Sequence, residues 1–253
     1  MKSLATKLIL APLRMLNAFV RTVAADTHWL QYKAEGVLQG SAEWFDHELD
    51  VYWQWPRRQR GVFVERGVLN SITMGPTDRV LELCAGDGFF TQRFYAPNAR
   101  EVIAIDSNAA AIAHAKRYHS APNIEYVTGD VLRGLPPGPF NRVVWDAAMH
   151  HFDSEQIDSI LEGVAVVLAP SGMISGYTMV EDGANYAYLV TMLAGRADVA
   201  DRLARHFVHV AVLETEGAGR RNLYFFASDD QTVLPLSPLH PLVETRSRPP
   251  MRP

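Results

Sequence analysis

Cysteine is almost absent from this chain: among 253 residues only Cys84 carries a thiol, which excludes an internal disulfide and a thiolate metal cluster. An excess of positive charge is missing too. The 24 lysines and arginines against 28 aspartates and glutamates leave a net charge of −4, so binding to nucleic acid through a basic patch is not expected. Long apolar runs are also lacking. The apolar segment at the N-terminus is interrupted by Lys7, Arg14 and Arg21, and is too short and too charged for a bilayer-spanning helix. Arg14 likewise breaks the apolar stretch of a secretory signal, although Val23-Ala24-Ala25 has the form of a cleavage site. There are no internal repeats. Proline crowds the last residues, Leu234-Pro-Leu-Ser-Pro through Arg248-Pro-Pro-Met-Arg-Pro253, so residues 230–253 are expected to be an extended tail without helix or central strand.

What is present is a 48% hydrophobic composition, enough for one substantial core plus a small appended element. The most informative stretch is Arg79-Val-Leu-Glu-Leu-Cys-Ala-Gly-Asp-Gly-Phe89, an apolar strand running into a turn that holds Gly86 and Gly88. Glycines there let the backbone bend sharply, and the helix that follows offers free N–H groups to a ligand. Twenty residues after Gly86, the apolar run Glu101-Val-Ile-Ala-Ile-Asp106 ends in a carboxylate able to accept both hydroxyls of a ribose. A dinucleotide fingerprint would require a third glycine, but Phe89, Phe90 and Thr91 follow Gly88. That absence argues against an oxidoreductase.

Read together, Glu82-Leu-Cys84-Ala85-Gly86-Asp-Gly88 resembles the first motif of class I S-adenosyl-L-methionine (SAM)-dependent methyltransferases, an acidic residue followed by spaced glycines. Cys84 occupies the first glycine slot, a departure that keeps a small side chain. The resemblance extends over roughly residues 76–228, with its motifs in order. It implies that Asp106 and Ser107 meet the ribose, that Asp130 accepts from the adenine amino group, and that the Val131 N–H donates to a ring nitrogen. Glu82, Cys84, Ala85, Gly86, Gly88 and Asp146 complete the implied cofactor set. After the strand Arg142-Val-Val-Trp-Asp146 comes His150-His151-Phe152, similar to the histidine-histidine-aromatic segment of many small-molecule methyltransferases.

The spacing of Ile157, Ile160, Leu161, Val164 and Leu168 predicts an amphipathic helix over about 154–168, ended by Ala169-Pro-Ser-Gly172. Met173–Met179 reads as a fifth strand, about 186–205 as a helix, and Phe207–Leu213 with Leu223–Ala227 as an antiparallel pair. Alternating strands and helices indicate a doubly wound, mostly parallel α/β sheet. The resemblance makes this a seven-stranded Rossmann-like sheet with an antiparallel last strand, over residues 76–229. Residues 1–75 are expected to be an N-terminal helical cap, in which Leu4, Leu8, Leu16, Phe19, Val20 and Val23 form an apolar face among basic residues. That face either packs over the cofactor cleft or lies on a membrane surface.

Methyl transfer from a sulfonium is an in-line displacement, so the protein must align a nucleophile and, for a hydroxyl, remove its proton. No metal is needed for that step. His151 is the favoured base, with His150 and Asp146 beside it, because ligands bind at strand carboxyl ends in such sheets. Trp44, His47, Tyr52, Trp53, Tyr177 and Glu181 are expected to shape the acceptor pocket. The acceptor is expected to be a small molecule or glycan, methylated at oxygen, in the cytoplasm where SAM is made. Two alternatives stand beside this: a lipid or quinone acceptor at a membrane, and a SAM-binding scaffold without catalysis.

Overall fold

The structure is a computed structural model, and it describes residues 62–180, 190, 191, 193–217, 220–235 and 243–248, with helical positions scattered between 12 and 37. The chain divides into two compact units, Met1–Arg60 and Gly61–Pro253. In the first unit, Leu13, Leu16, Phe19, Val20 and Val23 are helical and exposed. Trp44, His47, Tyr52 and Trp53, the expected pocket aromatics and histidine, lie outside the described residues, as does Glu181. Among the described residues no helix is long and apolar enough to cross a membrane.

The second unit is built on a mixed sheet in the order β3-β2-β1-β4-β5-β7-β6-β8. The strands are β1 (Arg79–Leu83), β2 (Glu101–Asp106), β3 (Ile124–Thr128), β4 (Phe140–Asp146), β5 (Leu168–Met179), β6 (His209–Gly217), β7 (Arg220–Ser228) and β8 (Val243–Ser247). Strands β1 to β5 run parallel, while β7, β6 and β8 are antiparallel to their neighbours. Leu81, Leu83, Val143, Trp145, Ile174 and Phe225 are fully buried in the centre, where the near-continuous apolar runs of β1, β2 and β4 allow burial on both faces.

The helices are α1 (Val62–Ser71), α2 (Ala109–Tyr118), α3 (Ser154–Val167) and α4 (Arg196–Leu203). The Asn108 side chain caps α2 by accepting from the Ala110 and Ala111 N–H groups. Asp153 and Gln156 form a reciprocal capping box on α3, whose buried face is Ile157, Ile160, Leu161 and Val164 as the periodicity predicts.

Three elements differ from expectation. The sheet has an eighth strand, because Val243–Ser247 contains no proline and takes an edge position against β6, with His209 opposite Ser247. The residues 230–253 are therefore not wholly an extended tail. Of the helix expected over about 186–205, Arg196–Leu203 is helical, whereas Val190 and Thr191 donate their N–H groups to the His150 carbonyl and Leu193 bridges to Val180; residues 186–189 and 192 lie outside the described residues. The segment after Gly88 is a short π-helix, Thr91–Tyr95, tightening into a 3₁₀ turn at Ala96–Asn98.

Gly88 is required by packing as much as by conformation. It has φ of +77°, and a Cβ there would lie 2.4 Å from the Tyr126 hydroxyl and 2.9 Å from the Ala115 Cβ. Gly88→Ala should therefore cost at least about 2 kcal/mol by urea denaturation, and Gly88→Ala combined with Tyr126→Phe should recover part of the loss. Equal stability of Gly88→Ala and the wild type would contradict this packing.

Candidate active site

The strand order reverses between β1 and β4, with Leu83 in register with Trp145, and a ligand crevice in such sheets opens beyond the carboxyl ends at that reversal. The loop leaving β1 is held there by a run of left-handed residues: Cys84 at φ 58°, Gly86 at 57° and Gly88 at 77°. The glycine slot taken by Cys84 thus demands a conformation that costs a residue with a Cβ about 1–2 kcal/mol. Burial pushes the Cys84 thiol up, so it stays protonated and unreactive.

Asp106 closes the loop onto β2. One of its oxygens accepts from the Gly86 N–H at 2.8 Å and the other from the Asn108 N–H at 2.8 Å. Ser107 beside it is exposed, and Ala85 is buried with its N–H on the Ile105 carbonyl. Glu82 is buried beneath the loop and accepts from the Thr91 hydroxyl at 2.5 Å. Burial raises its pKa well above the usual carboxylate range despite that bond, which favours the neutral acid. At the end of β3, Asp130 accepts from the Leu132 N–H at 3.0 Å, while Val131 is buried.

Asp146 is not available as a base. The Arg66 guanidinium grips it from α1 through Nε at 3.0 Å and Nη2 at 2.5 Å, and the Asn70 amide donates to its other oxygen at 2.9 Å. Arg66 and Asp146 are both buried. Burial by itself would lower the Arg66 pKa, but attraction to and hydrogen bonding with Asp146 outweigh it and the guanidinium remains charged. Its cation sits 5.1, 4.6 and 5.0 Å from the ring centres of Phe63, Phe90 and Tyr177. Arg66 and Asn70 escape the sequence reading because their partner lies 80 and 76 residues away and nothing in the spacing marks the pair. Tyr177 is buried within this cluster and donates to the Asn222 side-chain oxygen at 3.3 Å.

His150 and His151 lie on a 3₁₀ turn, Met149–His151, with their rings 4.5 Å apart between centres. They differ in setting. His150 is buried, and burial, then His151 and Arg66, depress its pKa to about 3, so it is neutral at physiological pH and is a poor proton acceptor there. His151 is only half-buried. Of the expected catalytic trio, His151 is the half-buried member, while Asp146 is held by Arg66 and His150 is buried.

Residues 80–172 match a methyltransferase-domain family. An uncharacterized methyltransferase of Synechocystis is 32% identical over 109 residues, 42% of this chain and 50% of that protein. The protein-L-isoaspartate O-methyltransferase of Paracoccus denitrificans is 35% identical over 82 residues, 31% of this chain and 38% of that protein. The chain thus spans about half the length of the first curated relative and less of the second. Among solved structures, the fold resembles DhpI in complex with S-adenosylhomocysteine (SAH), with a TM-score of 0.56 at 18% identity over 83% of this chain and 98% of that one. It also resembles the N-methyltransferase NodS of Bradyrhizobium japonicum in complex with SAH, with a TM-score of 0.52 at 20% identity over 70% and 97% of the two chains. Residues 80–172 thus carry a methyltransferase domain, and the fold around them is that of SAM-dependent methyltransferases.

The residues of this methyltransferase domain fit its cofactor. Asp106 already accepts two backbone N–H groups, and a carboxylate has about four acceptor positions, which leaves room for ribose hydroxyls.

Two stability tests follow from the site's charges. The unfolded chain protonates His150 near 6.5 and the folded one only near 3, so this group's stabilisation is fully present above about pH 6.5 and is lost as pH falls toward 3. The loss runs at up to about 1.4 kcal/mol per pH unit. His150→Gln should flatten the acid limb of a urea-midpoint profile between pH 4 and 6.5. For the ion pair, Arg66→Met alone should cost about 3–5 kcal/mol because it strands a buried carboxylate, whereas Arg66→Met with Asp146→Asn should cost clearly less. Equal losses for the single and double variants in denaturant titrations would show that the pair is not coupled.

Proposed function

We propose that this chain transfers the methyl group of SAM to a small-molecule or glycan acceptor, at oxygen. The observation that carries the reading is the juxtaposition at the β1/β4 reversal: a left-handed glycine loop tied to Asp106 on one side, and the His150-His151 turn just beyond β4 on the other. In this reading Asp106 and Ser107 hold the ribose. Asp130 and the Val131 N–H hold the adenine. Glu82 orders the loop through Thr91, and Ala85, Gly86 and Gly88 supply its backbone wall.

SAM supplies an activated methyl on a sulfonium. The chain's own task is to align the acceptor and take its proton, and His151 is the base, with the neutral His150 ring packed against it. Methylation at oxygen rests on that base, since a hydroxyl must lose its proton whereas a neutral amine already has a free lone pair. The relatives do not decide the atom: one is an O-methyltransferase and another an N-methyltransferase. Placement in the cytoplasm follows from where SAM is made.

The exposed apolar side chains Leu13, Leu16, Phe19, Val20 and Val23 on the N-terminal helical positions favour a second reading, in which the acceptor is a lipid or quinone at a membrane surface. Co-sedimentation with anionic liposomes, with and without residues 1–25, separates the two.

Calorimetric titration with SAM and SAH tests the main reading. Wild type should bind both, and Asp106→Ala should bind at least tenfold more weakly with its fold intact. His151→Ala should bind SAM normally and lose about 10²–10⁴-fold in SAH release with an active acceptor. Tight binding with no turnover across an acceptor screen would favour the non-catalytic scaffold.

A further inference from the structure

Asp87 lies between the two glycines of the cofactor loop, and its side chain meets His114 of α2 and His119, the residue that caps α2. One carboxylate oxygen and one nitrogen from each histidine lie within 4.8 Å of one another. Asp87 and His119 are only 1% and 2% exposed, while His114 is half-buried and gives the cluster a route to solvent.

The hydrogen bonds around His119 set its tautomer. The Gln92 amide nitrogen donates to the Ser120 carbonyl at 3.1 Å, so the amide oxygen is the atom that faces His119 Nδ1, at 3.1 Å. That oxygen only accepts, so Nδ1 carries the hydrogen and Nε2 keeps its lone pair. A histidine whose second nitrogen donates to a fixed acceptor is the usual outer support of a metal-bound imidazole. Asp87 is oriented as well, since one of its oxygens accepts from the Phe89 N–H at 3.2 Å.

We propose that Asp87, His114 and His119 bind one divalent transition-metal ion of the Zn²⁺ class. Two imidazole nitrogens and one carboxylate suit Zn²⁺, Co²⁺ or Fe²⁺, whereas Mg²⁺ and Ca²⁺ prefer all-oxygen sites. Three protein ligands leave a fourth position for water. Side-chain rotation has to draw the ligand atoms in by about an ångström to reach metal–ligand distances of about 2.0–2.2 Å. The ion would clamp the loop between Gly86 and Gly88 onto α2. Such a clamp is structural and takes no part in methyl transfer, so it stands independently of the reading above. The sequence reading names no metal ligand; Asp87, His114 and His119 are brought together only by the fold.

The test uses the full chain, stripped with a chelator and dialysed. Titration with Co²⁺ should give visible d–d absorption that saturates at one equivalent and is abolished by Zn²⁺. One equivalent of Zn²⁺ should also raise the thermal midpoint by several degrees. His114→Ala should weaken binding at least 100-fold. Gln92→Leu keeps all three ligands and should weaken it by about 10–100-fold. Circular dichroism verifies that both variants are folded, and the wild-type titration decides alone should either fail. Absence of saturable Co²⁺ or Zn²⁺ binding by the wild type, or affinity unchanged in either folded variant, overturns the proposal.

Discussion

A carboxylate buried at the end of β4 needs a counter-charge, and Arg66 supplies it from α1. This pair fixes more than two side chains. It draws α1 against the carboxyl ends of β4 and β5, and it sets the guanidinium among Phe63, Phe90 and Tyr177. Those rings belong respectively to α1, the segment after the glycine loop and β5, so three separate parts of the chain meet around one cation. Two guanidinium nitrogens, Nε and Nη2, converge on one Asp146 oxygen, an arrangement the single ammonium of a lysine would not reproduce.

Four acids converge near the strand-order reversal, and each is accommodated differently. Asp146 has Arg66; Asp106 has two backbone N–H groups; Asp87 accepts from the Phe89 N–H and adjoins two histidines; Glu82, pressed by burial and by the other three, is driven toward its neutral form. Asp146 is neutralised by its partner and Glu82 by its shifted pKa, whereas Asp87 and Asp106, both at the loop, are held by backbone N–H groups.

The two adjacent histidines show how burial divides a pair that looks equivalent. His150 lies in the core and is held neutral, while its carbonyl anchors Val190 and Thr191. His151, one residue on, is half-exposed. The difference in burial between the two rings is set by the 3₁₀ turn rather than by residue type.

Local pattern by itself determined the sheet-forming runs, the amphipathic face of α3, the closing hairpin and the glycine turn with its acidic partner 20 residues on. These are written in periodicity, turn residues and short-range spacing, which act within one element or one βαβ unit. Tertiary structure alone decided the rest. The eighth strand needed a free edge on β6, a property of the assembled sheet rather than of Val243–Ser247. The Arg66–Asp146 pair, the neutral His150 and the Asp87–His114–His119 cluster depend on which distant groups share a buried volume, because charge and solvation act through space and not along the chain.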